Sequence, residues 1–219
     1  MKKLIIAIDG PSGAGKGTVS RAVAQALGYR HIDTGAMYRA VGWKAHHDGI
    51  PLHDETRVTQ LARSADLTVE GGVVAIDGHD VTTAIRTPDV DKLASTVARL
   101  PQVREVLVSR QRAMGAQGGV VMEGRDIGSV VFPNADVKIY LDASAEERAR
   151  RRAHDAAHAG SQAGQAAVAE AIQARDLSDK TRTVSPLALA PGAAHIDTTD
   201  MPIEAVVDQV LALVRTKLV

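Results

Sequence analysis

The sequence predicts an α/β fold: a parallel five-stranded sheet flanked by helices, with a small antiparallel-β insert and a helical segment near residues 150–185. Three observations carry it. Short apolar runs lack the polar alternation of strands with one wet face, so both faces of the sheet are covered. Stretches with apolar residues at helical spacing separate those runs. One region with two tight-turn signals breaks the alternation.

The first run, Leu4-Ile5-Ile6-Ala7-Ile8, is apolar throughout and predicts a central strand. After a glycine-rich stretch, Val19, Ala22, Val23, Ala26 and Leu27 follow helical spacing, and Gly28 supplies the stop. Further strands are predicted at His31 to Asp33, Val120 to Glu123, Val137 to Asp142 and His195 to Thr198. The last helix carries one apolar stripe, Ile203, Val206, Val207, Val210, Leu211 and Val214, with Pro202 near its start. Residues 67–82 place Gly71-Gly72 and Asp77-Gly78 between short β-branched runs, the pattern of a small antiparallel sheet. A helical stretch, Asp89 to Leu100, follows it, so residues 63–100 read as an insert that divides a core of 1–62 and 101–219. From Ala156 to Ala169 the chain is rich in Ala, Gly and Gln, and Gly160, Ser161 and Gly164 suggest a flexible joint.

At 219 residues with 45% apolar content, the chain supports one substantial core and a small appended unit. Lys plus Arg equal Asp plus Glu at 26 each, so no overall field draws it to nucleic acid or an anionic membrane. Tyr29, Tyr38, Trp43, Phe132 and Tyr140 are its only aromatic residues, too few for a base-stacking platform. There is no cysteine, which agrees with a reducing compartment. The apolar run near the start ends at Asp9, too short for a secretory signal, and no stretch reaches membrane-spanning length. The expected location is cytoplasmic.

The glycine-rich stretch is Gly10, Pro11, Ser12, Gly13, Ala14, Gly15, Lys16, Gly17 and Thr18. It satisfies G-x-x-x-x-G-K between a predicted strand and a predicted helix. Backbone amides in such a loop cradle inner phosphates, and Lys16 reaches the outer ones. The strict motif continues with Ser or Thr, whose hydroxyl ligates Mg²⁺; here Gly17 stands in that place and the hydroxyl comes next, on Thr18. A GTPase switch would also need an Asn-Lys-x-Asp element, but the one asparagine, Asn134, precedes Ala135.

Three further stretches offer candidates. In "HIDTGAMYR" a strand ends where Asp33 and Thr34 can cap a helix; Thr34 and Arg39 either hold a phosphate or serve as a cap and a solvated charge. "EGRDIG" puts Arg125 and Asp126 at the carboxyl end of a strand, as site residues or as a simple surface pair. In "RDLSDKTR", Arg175 and Asp179 stand four apart, so they form a surface ion pair or, with Arg182, belong to a lid that closes over phosphates. "EERARRR", Glu146 to Arg152, is either the other stem of that lid or a helix of ordinary pairs.

The loop, with Gly17 before Thr18, is similar to that of nucleoside monophosphate kinases. Together with "DTGAMYR", the β insert, "VREVLVSRQR", "EGRDIG" and "RDLSDKTR" in this order, the whole chain resembles bacterial cytidylate kinases. The resemblance implies a P-loop kinase core, an insert at 63–100 that binds the nucleoside monophosphate, and a mobile helical lid. It implies transfer of the γ-phosphate of ATP to CMP or dCMP, giving CDP or dCDP and ADP, by a monomer with no nucleic-acid or membrane partner. The alternative is a kinase for another nucleoside monophosphate such as UMP. It also implies that Thr34, Arg39, Arg125 and Arg182 hold the acceptor phosphate, that Ser95, Arg104 and Asp126 contact cytosine, and that Arg175 with Asp179 contacts the sugar. Lys16, Arg125 and Arg182 are then the charge-stabilising groups, and Mg²⁺ is held mainly by nucleotide phosphates and water, with no side-chain metal ligand assigned. Cytosine pairs an exocyclic amine donor with ring acceptors, so its pocket needs both an acceptor and a cationic donor; uracil would leave some of them unpaired. Three positions depart from the family pattern: Ser178 and Lys180 stand where relatives can carry arginine, and Glu123 where an aspartate is also found.

Overall fold

The computed structural model describes residues 3–154 and 165–218. Along the chain the elements are β1 (Ile5–Asp9), α1 (Lys16–Leu27), β2 (Arg30–Asp33), α2 (Thr34–His47), α3 (Glu55–Ser64), β3 (Leu67–Glu70), β4 (Val73–Ile76) and β5 (His79–Asp80). They continue with α4 (Pro88–Val97), α5 (Pro101–Gly115), β6 (Val120–Gly124), a π-helical turn (Ile127–Val131), β7 (Val137–Asp142), α6 (Ala145–His154), α7 (Gln165–Thr181), β8 (Ala194–Asp197) and α8 (Ile203–Arg215). The chain divides into two compact units, one of Met1–His31 with Gln117–Val219 and one of Ile32–Ala116.

In the first unit the sheet runs β2-β6-β1-β7-β8, and β1 pairs in parallel with both β6 and β7. Ile6, Ala7 and Ile8 of β1 are fully buried, which is why that run has no polar alternation. Val19 and Val23 of α1 share a core with Val206, Val210 and Val214 of α8. Ile203, the first residue of α8, is instead exposed, so the buried stripe begins one turn later than the apolar pattern. Register sets Asp9 opposite Gly124 and Tyr140, so the loops after β1, β6 and β7 leave from one edge. No helix among the described residues is long and apolar enough to cross a membrane.

The second unit is built on the antiparallel sheet β3-β4-β5. Gly71 and Gly72, like Asp77 and Gly78, all have positive φ, as tight two-residue hairpins require. A sheet this small cannot bury its own apolar face. Val69, Val74 and Ile76 therefore share one core with Met37 and Val41 of α2, Val58 and Leu61 of α3, Val97 of α4 and Leu107 of α5. That common core makes the compact unit wider at both ends than the predicted insert of 63–100.

Helices α6 and α7 occupy the segment read as a lid, with Ala149 of α6 packed against Val168 and Ile172 of α7. The proposed joint at Gly160, Ser161 and Gly164 lies outside the described residues.

Where β1 ends, Gly10 has φ +149°, and a Cβ built on it would stand 2.0 Å from the carbonyl oxygen of Leu141 in β7. Gly10→Ala is expected to lower stability by roughly 3 kcal/mol or more, read as a lower denaturant midpoint at unchanged slope. An unchanged midpoint would show that the end of β1 can move away from β7.

Candidate active site

The loop between β1 and α1 is held from behind. Gly13 has φ +81°, and a Cβ on it would fall 2.8 Å from the carbonyl oxygen and 2.9 Å from the Cβ of Arg148. The missing side chain at Gly13 thus lets the loop lie directly on α6. Arg148, itself buried, donates to the carbonyl oxygens of Ala143 and Ser12 at 3.0 and 3.1 Å and to Asp176 Oδ2 at 2.5 Å. Loop, α6 and α7 are therefore tied through one guanidinium. Helix α1 starts at Gly15 with no side-chain cap and no acidic residue in its first turn. Its leading amides and the positive end of its dipole suit an anionic ligand.

Lys16 is buried, and its ammonium donates to Pro11 O at 2.6 Å. Burial, reinforced by the nearby charge of Arg125, pushes its pKa well below the usual lysine value. An incoming phosphate would oppose both effects and favour the charged form.

Asp9, at the end of β1, accepts the amide hydrogens of Ile127 and Gly128 at 2.8 and 2.7 Å. Those bonds fasten the chain after β6 to the end of β1. Burial outweighs them and raises the Asp9 pKa from 3.8 to about 6.

The charges that follow β6 are not a simple surface pair. Arg125 Nε donates to Asp179 Oδ2 at 2.8 Å, and its Nη1 to Gly10 O at 3.0 Å. Burial works against this guanidinium, but the charge and hydrogen bond of Asp179 overcome it and hold its pKa above the usual value. For Asp179 burial is likewise the largest influence, yet Arg125 and Arg175 together keep its carboxyl below the usual range. Asp126 is buried and lies 3.5 Å from Arg182 Nη2, while Arg182 Nε donates to Ser185 O at 2.5 Å. In the first unit the structure thus brings together the loop, Lys16, Arg125, Asp126, Asp179 and Arg182, with Arg175 acting electrostatically on Lys16 and Asp179. Lys180 is exposed and Ser178 half-buried.

In the second unit Asp33, not Thr34, caps α2: its Oδ1 accepts from the Ala36 amide at 3.0 Å, and Thr34 is the first helical residue, buried. Asp33 Oδ2 takes Arg39 at 2.8 Å and Arg86 at 3.1 Å, so two guanidiniums gather at the start of α2. Arg39 is also 3.8 Å from Asp91. Arg104 is buried on α5 with its guanidinium carbon 5.6 Å from the Tyr38 ring centre, a cation–π contact. Ser95 is half-buried on α4, which approaches α2 closely at Gly42.

Several residues of these clusters are not among the site candidates read from the sequence: Asp9, His31, Arg148, Asp176 and Arg86. Arg148 carried a signal as part of the basic run read as a lid stem, and Glu123, its position marked as a departure from the family pattern, carried another. The others show themselves through partners distant in sequence.

Among the described residues no group of three or more His, Asp or Glu side chains could hold a metal ion. Gly17 brings no hydroxyl, but a Cβ on it would lie 3.4 and 3.6 Å from the two carboxylate oxygens of Glu123. One carboxylate beside an uncapped helix start suits a Mg²⁺ that keeps phosphate and water ligands, rather than an ion caged by protein.

The titration of Asp9 gives a signed expectation. An acid whose folded pKa is raised favours the folded state only while protonated, so its contribution is complete below pH 3.8 and lost as the pH rises to about 6. Across that interval the wild type is expected to lose roughly 3 kcal/mol of unfolding free energy relative to Asp9→Asn, which does not titrate. Denaturant midpoints of both proteins from pH 4 to 7 check it; parallel curves would rule it out.

Comparison with known proteins agrees with this geometry. The chain matches the family model described as Cytidylate kinase over residues 6–216. It is 49% identical to the cytidylate kinase of Desulfitobacterium hafniense (strain Y51), across 99% of this chain and 94% of that protein. It is 50% identical to the cytidylate kinase of Pelotomaculum thermopropionicum, across 95% of each. Among solved structures it resembles shikimate kinase from Acinetobacter baumannii in complex with shikimate, with TM-score 0.51 and 16% identity over 98% of this chain and 94% of that one. That likeness concerns the fold alone. With a glycine loop ahead of an uncapped helix, a buried arginine and carboxylate cluster beside it, and relatives matched over nearly their whole length, the chain belongs to the cytidylate kinase family.

Proposed function

We propose that the chain transfers the γ-phosphate of ATP to CMP or dCMP, releasing ADP and CDP or dCDP. The observation that carries this is the set of cations Lys16 and Arg182, both buried, and Arg125, half-buried, each held by carboxylate or carbonyl oxygens, with Lys16 and Arg125 on the glycine loop itself. Phosphoryl transfer asks little covalent chemistry of a protein and depends on alignment and on neutralising charge over the phosphate oxygens. Cations already desolvated and oriented meet that need with little reorganisation in the transition state.

ATP is assigned to Gly10–Thr18, with loop amides on its inner phosphates and Lys16 on its outer ones. Mg²⁺ bound to the nucleotide would supply further neutralisation of its β- and γ-phosphates. Thr34, Arg39, Arg125 and Arg182 are assigned to the acceptor phosphate. Ser95, Arg104 and Asp126 are assigned to cytosine, combining acceptors for its exocyclic amine with a cationic donor for its ring. Arg175 and Asp179 are assigned to the sugar. No strong base is needed, because the attacking phosphate oxygen is already ionised, so Asp126 serves binding. UMP is disfavoured, because uracil reverses part of that donor pattern. The insert within Ile32–Ala116 is taken as the part that reads the monophosphate, α6 and α7 as a closing lid, and the protein as a cytoplasmic monomer.

The direct test is ADP release with ATP, Mg²⁺ and each of CMP, dCMP, UMP, AMP and GMP, beside a control with no acceptor. Strong turnover with CMP and dCMP alone is expected; turnover with another acceptor but not CMP would remove the cytosine assignment. Arg182→Ala should lower turnover on the order of 10²-fold to 10³-fold, and wild-type turnover would count against its role. Asp126→Asn should change CMP affinity or base preference; a shift in the acid limb of turnover at unchanged binding would make it a proton carrier instead.

A further inference from the structure

At the carboxyl edge of the first unit's sheet, β2 lies beside β6 and brings His31 to Glu123. The ring Nε2 and the carboxylate Oε1 are 2.8 Å apart, with His31 half-buried and Glu123 buried. A carboxylate oxygen accepts, so Nε2 carries the proton. The same carboxylate flanks Gly17, at the place where the strict phosphate-loop motif would put a metal-binding hydroxyl. It also adds favourable charge near Lys16 and Arg125.

A glutamate has three side-chain torsions and points in one direction only if something holds it. The other buried acids nearby are engaged elsewhere: Asp9 has an oxygen taken by each of two backbone amides of the chain after β6, Asp126 lies beside Arg182, Asp179 accepts from Arg125, and Asp176 from Arg148. Glu123 is therefore the acid placed to face the start of α1, and the histidine selects that orientation. Partners that orient the groups around a metal site are known to tune affinity and activity.

We propose that His31 is a positioning residue for phosphoryl transfer: its Nε2–H fixes the Glu123 carboxylate beside Gly17, where that carboxylate accepts hydrogen bonds from the water shell of the metal accompanying ATP. The proposal rests on the reading of the loop as an ATP site. It adds a residue of β2 to that site and gives a reason for a glutamate at position 123, since the longer side chain both meets the histidine and borders Gly17.

Calorimetric titration of the full chain with ATP, in Mg²⁺ and again in EDTA, tests it without turnover, because no acceptor is present. The wild type is expected to bind ATP more tightly with Mg²⁺. His31→Ala should lose about 10-fold of that preference while its affinity for metal-free ATP stays unchanged. His31→Gln, which keeps an N–H at similar reach, should restore the preference. Glu123→Gln should lose it too, and the double variant should lose no more than either single one, since both act through one contact. A His31→Ala protein with the wild-type ratio, or one weakened equally with and without Mg²⁺, would overturn the proposal and leave His31 a packing residue. Should that variant not fold, His31→Leu, which fills similar space without an N–H, takes its place, and a wild-type ratio in it would overturn the proposal as well. A wild type indifferent to Mg²⁺ would instead remove the ATP–metal reading itself, and that outcome is visible before any substitution is made.

Discussion

The site depends on the buried carboxylate of Asp9. It stands at the last position of β1 and receives the amides of Ile127 and Gly128, so the phosphate loop and the segment after β6 share one anchor. Without it, the parallel register of β1 and β6 would still set Asp9 opposite Gly124, but the chain beyond Gly124 would lose its two backbone ties to the end of β1. Arg125 and Asp126 lie in that chain. The burial that makes Asp9 effective also raises its pKa, so the anchor is strained in the charged form: its geometry serves the site at some cost in stability.

Around that anchor, each cation has a provisional partner. Lys16 rests on a loop carbonyl, Arg125 on Asp179 and Gly10, Arg148 on Ser12 and Asp176, and Arg182 on Ser185 with Asp126 near. Buried charge without such partners would be costly, and removing one member leaves another uncompensated. The same pairs link α7 to the loop and to the end of β6, although these groups lie far apart in the chain. Arg148 is central to this linkage, because its helix fills the space that the missing side chain of Gly13 leaves open.

The second unit solves a different problem. Its three short strands need cover, and helices on several sides supply it around Val74 and Ile76. Its polar groups follow the same economy as the first unit: Asp33 caps α2 with one oxygen and gathers Arg39 and Arg86 with the other. A single acid thus keeps two guanidiniums oriented at a helix start, where an anion is favoured. Arg104, buried beneath Tyr38, is ordered by packing as much as by charge.

Local order in the chain determined the strands, the glycine loop and the last helix, because a period of apolar residues or a glycine at a turn acts through neighbours in sequence. Hence β1 and β7 could be placed from Leu4–Ile8 and Val137–Asp142, and the hairpins from Gly71-Gly72 and Asp77-Gly78. The motifs likewise marked Lys16, Arg125, Asp179 and Arg182 as candidates, though spacing alone left Arg175 and Asp179 readable as a surface pair. Only tertiary structure decided that Asp179 turns to Arg125, that the small sheet shares a core from Ile32 to Ala116, that Ile203 stays wet, and that His31 meets Glu123. Each depends on a partner tens of residues away or on the burial of a whole face. Side-chain pairing of that kind is set by where the backbone returns in space, which one-dimensional periodicity does not encode.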